Sequence, residues 1–245
     1  MWRYCILTLS IFLFCSTSTH CQIRTYIYAG TEAAIFRQTK PILIIIDDFN
    51  AHHHEFDQSN NKLLITPKFI SGGLLGTKIH SRRNEFGGNI QYMRYLTSSR
   101  GINSEGGNYF QTLTIAHNGI CINYVINLIN TNYFRTGPGV SINIEQYKFK
   151  IKTEYDSDFT TQTPINRAVF TSKLNYKISI GGPKFNIDII AFYKLPLHTL
   201  NLDKLNQDLN FGYASEYNNG ELVFSPVTYG FTLCVCFGSK ENYDF

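Results

Sequence analysis

The densest grouping of residues able to do chemistry is Asp47, Asp48, His52, His53, His54, Glu55 and Asp57. Imidazoles and carboxylates are competent ligands for zinc or nickel, and adjacent histidines can hold a metal on an exposed loop. Consecutive side chains on a regular element cannot all aim at one ion, and no His-x3-His spacing is present. The cluster therefore reads as a polar loop following the apolar run Pro41–Ile46. His117 and His198 are scattered candidates for acid–base work, and neither sits in a nucleophile motif such as GxSxG. Gly137-Pro138-Gly139 lacks the GxxxxGK[ST] spacing that cradles phosphate and reads as a strand feature. No catalytic, cofactor-binding or metal-ligating residue is assigned, and the chain reads as a non-enzyme.

Cysteine chemistry is equally thin. Three of the six cysteines lie within the first 21 residues, leaving Cys121, Cys234 and Cys236. An odd number argues against a disulfide framework in an exported protein. No CxxC pair exists for a thiolate zinc site. Cys234 and Cys236 are two apart and share one face of a strand, where they fill space.

The elements that would position any site are strands. The first 21 residues read as a signal peptide for Sec-type export, with Arg3 ahead of an apolar run from Ile6 to Cys15. That run is too short to cross a bilayer as a helix, which takes roughly 20 residues. Cleavage is expected before Gln22, with lipid attachment at Cys21 as the alternative. Beyond it, the chain divides into an N-terminal segment, 22–60, holding a possible first strand and loop, and a barrel over 61–245.

Period-two alternation dominates the rest. Phe170, Leu174, Tyr176, Ile178 and Ile180 oppose Thr171, Lys173, Asn175, Lys177 and Ser179. Tyr229, Phe231, Leu233, Val235 and Phe237 oppose Gly230, Thr232, Cys234, Cys236 and Gly238. Val140, Ile142 and Ile144 oppose Ser141, Asn143 and Glu145. Phe185, Ile187, Ile189 and Tyr193 face away from Asn186 and Asp188, although Ile190 and Phe192 blur that pattern. One face is aliphatic with aromatic ends; the other carries amides, hydroxyls, small residues and lysines. Transmembrane strands of about 9–11 residues show this pattern, with aromatic girdles at both interfaces.

Strands are expected near 23–34, 62–79, 85–98, 109–127, 133–149, 168–181, 184–197 and 227–238. Eight is the smallest number that closes into a filled barrel; segments 41–47 and 209–217 would make ten. Gly181-Gly182-Pro183 and Asn130–Asn132 read as tight turns, and Ser98–Asn108 and Asp156–Asn166 as long loops. The fold class is all-β: an antiparallel up-and-down transmembrane β-barrel. Lys173 and Lys177 are expected to pair inside it with Glu145 or Asp188. Charged residues are 16% of the chain and aromatics 15%, few charges for a soluble surface. The net charge of +4 comes with no long basic run. Lys148, Lys150 and Lys152 sit on the solvated side of one strand, so nucleic acid is not an expected partner.

The segment Tyr133-Phe134-Arg135-Thr136-Gly137-Pro138-Gly139, the long strand before it (109–129) and the closing strand Tyr229–Phe237 resemble the small outer-membrane β-barrel domain of Bacteroidota, the PorT-like proteins, over about residues 60–238. The resemblance implies residence in the cell outer membrane among its lipids, insertion by the barrel assembly machinery and no catalytic residues. Its role would be structural, transport-accessory or surface-interacting. One departure is that eight residues follow Phe237. The competing expectation is a soluble periplasmic or secreted lipocalin-like barrel, with the same apolar faces turned inward around an apolar ligand.

Overall fold

The computed structural model describes residues 23–53, 64, 68–102, 108–155, 158–210 and 221–238. Eight long strands close into a ring: β1 (Ile23–Phe36), β2 (Phe69–Ser81), β3 (Asn84–Ile102), β4 (Asn108–Ile126), β6 (Phe134–Tyr155), β7 (Asp158–Gly181), β8 (Phe185–Pro196) and β11 (Thr228–Gly238). Each pairs antiparallel with its neighbours, and β1 closes the ring by pairing with both β2 and β11. Within the ring every long strand is paired on both sides, while β3 beyond Arg94 and β7 before Thr171 extend past β2 and β8. Short pieces complete the fold: β5 (Ile129–Asn130) beside β6, a ribbon of β9 (Leu200–Asn201) and β10 (Val223–Phe224), and helices α1 (Lys40–His53) and α2 (Asp203–Leu209).

One end of the ring has tight connections. Arg82 and Arg83 join β2 to β3, with Arg82 at φ 49°. The expected Gly181-Gly182-Pro183 turn joins β7 to β8. Gly181 adopts φ +129°, and a Cβ there would come within 2.5 Å of the Phe185 carbonyl oxygen, so the turn requires glycine. The helices and the β9–β10 ribbon lie at the other end.

Three expectations need correction. In the polar stretches 98–108 and 156–166 the described residues are strand: β3 runs to Ile102, β4 starts at Asn108 and β7 starts at Asp158. The apolar run 41–47 is helical, because Ile42, Ile45, Ile46 and Phe49 fall at i, i+3, i+4 and i+7 and all are buried. Pro41 near the helix start is compatible with this, and short apolar runs are ambiguous by periodicity alone. Of 209–217, Leu209 ends α2, Asn210 caps it, and the remainder lies outside the described residues. β1 pairs directly with β2 and β8 directly with β11, so the ring closes with eight strands and neither segment adds a strand to it.

The side-chain faces decide the architecture. Phe170, Leu174, Tyr176 and Ile180 point outward, as do Val140, Ile142 and Ile144, and Tyr229, Phe231, Leu233 and Phe237. Ser141, Asn143, Glu145, Thr171, Lys173, Lys177, Ser179, Cys234 and Cys236 are buried in the interior. This is the opposite of a lipocalin-like barrel, whose apolar faces would line the inside. Aromatic rings mark both margins of the outer band. Phe86, Phe134, Phe185 and Phe237 stand toward the tight-turn end, and Phe69, Tyr92, Phe170 and Tyr229 toward the helical end.

Candidate functional site: a sealed lumen beneath a helical head

The interior changes character along the barrel axis, and β6 shows where. From Phe134 to Ile144 its outward residues include Val140, Ile142 and Ile144, opposite inward Ser141, Asn143 and Glu145. Beyond Glu145 the pattern inverts. Tyr147, Phe149 and Ile151 turn inward and are buried, whereas Gln146, Lys148, Lys150 and Lys152 turn outward. Strand geometry is unchanged across this point; only the solvent preference of each face has exchanged. β4 does the same, with Ile120, Ile122 and Ile126 outward below and Ile115 and Leu113 inward above. Ile190 and Phe192, which blur the pattern of β8, both turn inward: Ile190 borders the lumen cavity, and the buried Phe192 joins the apolar cluster with the Lys173 ammonium 4.2 Å from its ring centroid. The inversion separates a lower section with a greasy wall from an upper section built like a water-soluble domain.

In the lower section four lysines meet four carboxylates. Lys173 donates to Glu32 at 2.8 Å, Lys177 to Glu85 and Lys194 to Glu145 at 2.8 Å, while Lys78 bridges Asp188 and Glu85. The expected pairing of Lys173 and Lys177 with Glu145 or Asp188 is therefore corrected in its partners, because the register of distant strands sets which charges meet. Each carboxylate also accepts a neutral donor or a second lysine. Thr232 serves Glu32, Ser179 serves Asp188, and Gln91 (2.6 Å) and Tyr147 (3.2 Å) serve Glu145. Buried charges that are paired and hydrogen-bonded on several sides avoid the cost of an isolated ion. Lys78 also lies 5.3 Å from the Tyr26 ring centroid, and Arg135 5.4 Å from it on the tight-turn side.

This network leaves little space. The central cavity holds about 30 Å³, bordered by Glu32, Lys78, Lys173, Lys177 and Asp188 among others. That is room for one or two waters. Eight-stranded barrels are filled by their own side chains, and here the filling is ionic, with four lysines matched to four carboxylates.

The upper section is closed by an apolar core. Ile42, Ile45, Ile46 and Phe49 of α1 and Leu205 and Leu209 of α2 pack with Met93, Leu113, Ile115, Phe149 and Ile165 from the extended strands. Phe224 of β10 meets Phe36 and Phe149 edge-on at centroid distances of 5.6 and 6.2 Å. Polar ties fix the helices: Asn210 Nδ2 donates to the Ile45 carbonyl at 3.1 Å, and the Asn50 side chain both donates to and accepts from the Leu64 backbone at 3.0 Å. The amide of Asp203 donates to Asn201 Oδ1 at 2.7 Å where α2 begins.

The residues considered for chemistry are dispersed. His117 is buried and stacks on Tyr147 at 5.0 Å, where the charged lumen meets the apolar core. His198 stands edge-on to Phe170, 6.1 Å away near the barrel margin. Asp47 and Asp48 lie on α1, whereas His54, Glu55 and Asp57 fall outside the described residues. Cys121, Cys234 and Cys236 are free thiols, all buried inside the barrel. A chain produced without residues 1–21 should therefore resist a bulky maleimide while folded and take three labels once boiled in detergent. Labelling of the folded form, read as a gel shift, would contradict a packed lumen.

No protein-family model matches this chain, and no curated protein does. Among solved structures it is similar to Neisserial surface protein A (NspA), at 8% identity, 89% of this chain, 99% of that one and a TM-score of 0.39. It is also similar to Ail, the attachment invasion locus protein of Yersinia pestis, solved with the heparin analogue sucrose octasulfate. That match has 11% identity, 90% of this chain, 99% of that one and a TM-score of 0.32. The assignment of an eight-stranded barrel rests on this chain's own strand pairing, which closes without a gap.

The site's most informative feature, the inversion of faces, escapes a reading based on alternation alone. A signal was nevertheless present in β6, where lysines replace isoleucines at the same parity after Glu145.

Proposed function

We propose that the chain is an integral outer-membrane barrel that conducts no solute and displays its helical head, outside the bilayer, as a surface for interaction. The observation that carries this reading is the continuous apolar outer wall bounded by aromatic rings and ending where the faces exchange. On β7 the wall runs from Phe170 to Ile180, eleven residues by their numbering, which matches the 9–11 of a tilted spanning strand. Soluble monomers rarely expose contiguous apolar patches beyond a few hundred Å², so lipid is the solvent that suits this wall. Short turns characteristically face the periplasm in such barrels, which puts the head outside the cell. Export through a signal peptide, insertion by the assembly machinery and membership of the PorT-like barrels of Bacteroidota belong to the same proposal. They are supported by the N-terminal sequence and the strand motifs.

A catalytic role has no support in the dispersed histidines. The paired lumen charges likewise favour a scaffold over a pore. The test is fractionation joined to conductance. The protein should stay with carbonate-washed membranes, run at a heat-dependent gel position, and give no steady current in planar bilayers. A monodisperse protein without detergent would overturn the membrane reading; stepwise ion conductance would overturn the closed lumen.

A further inference from the structure

The outer wall carries an open groove of about 840 Å³ that crosses β2, β3, β4, β6 and β7 at the level where the faces exchange. Its origin lies in the register. One lateral row runs Gly73, Tyr92, Asn118, Gln146, Ala168, so three of its five positions are small. The row below is Leu75, Ile90, Ile120, Ile144, Phe170, large and apolar, and four of these side chains line the groove. The row above is Arg94, Ala116, Lys148, Asn166. Arg94 and Lys148 flank the strand carrying Ala116, about 10 Å apart at two strand spacings, within joint reach of one anion. Among the described residues no carboxylate pairs with Arg94, Lys148 or Lys150. Gln146 bridges the top of the groove by donating to Asn166 at 2.8 Å.

We infer that this groove seats one phosphate-bearing lipid, with an acyl chain along Leu75, Ile90, Ile120 and Ile144 and its phosphate between Arg94 and Lys148. The order from bottom to top is aliphatic, then amide, then cationic. That is the order of tail, polar backbone and acidic headgroup in a membrane lipid. Guanidinium and ammonium groups are the side chains suited to phosphate. The inference rests on the membrane reading, because a bilayer is what delivers the lipid at this height.

Native mass spectrometry of the full barrel in a neutral maltoside detergent tests it. The probes are dioleoylphosphatidic acid, dioleoylphosphatidylcholine and inorganic phosphate. One phosphatidic acid should be retained per barrel in preference to the choline lipid, and inorganic phosphate should not displace it. Each cation near a lipid surface contributes on the order of fivefold in affinity, so Arg94→Gln with Lys148→Gln should weaken retention roughly 25-fold. Ala168→Trp fills one end of the groove, keeps both cations, and should also reduce retention. Heat-dependent gel mobility verifies that each variant is folded. Equal retention of both lipids, displacement by inorganic phosphate, or unchanged binding in either variant overturns the site while leaving the membrane barrel intact. Protein that is soluble without detergent overturns both.

Discussion

Replacing Glu145 with leucine is expected to destabilise the barrel by about 3–5 kcal/mol, the usual cost of leaving a buried charge without its partner. Glu145 is completely buried and accepts from Lys194, Gln91 and Tyr147. Its loss strands the Lys194 ammonium, which is equally buried. A second variant, Glu145→Leu with Lys194→Met, should recover much of that loss, because removing both members also removes the unpaired ion. The only tryptophan is Trp2, so unfolding is better followed by circular dichroism and heat-dependent gel mobility in urea. If the single variant unfolds at the wild-type urea midpoint, Glu145 is not in a sealed ionic site.

Leu174→Arg is expected to cost about 2–4 kcal/mol in a bilayer, the penalty for a cation on the lipid face near the midplane. Leu174 lies midway along the outward run from Phe170 to Ile180 and is 56% exposed. On a water-facing wall the same change would fall within about 0.5 kcal/mol, as surface substitutions usually do. Thr161→Arg, on the same strand above the exchange of faces, supplies that comparison and should be nearly neutral. Equal urea midpoints for the two variants in phospholipid vesicles would show that no bilayer contacts Leu174.

Much of the barrel was legible because its signal is local. Each long strand carries its own alternation, and turns such as Gly181-Gly182-Pro183 announce themselves by composition. The head was not legible for a physical reason. Above the exchange of faces β6 keeps a period of two but turns its polar residues outward, and β7 is exposed on every residue over 158–163. Thr160, Thr161 and Gln162 then resemble a loop when read by a rule tuned to lipid-facing strands. The helix at Lys40–His53 was hidden by β-branched residues in a run short enough to suit either structure. Charge pairing was beyond reach altogether. Lys173 and Glu32 are 141 residues apart, and only ring closure brings β1 beside β11 and within reach of β7. Lys148, Lys150 and Lys152 were read correctly as a solvated stripe, since a run of alternating lysines needs no partner strand to be understood.

The seam between β1 and β11 has a bearing on how the molecule is assembled. α1 follows the first stave and α2 precedes the last, so the two helices bracket the junction and are tied together by Asn210 and Ile45. The dome can be completed only after the newest stave has docked on the oldest, since until then its halves hang from opposite sides of an open trough. Such a barrel reports its own completion: an intact dome certifies a zipped wall, and a half-inserted chain would show the exterior two unjoined flaps.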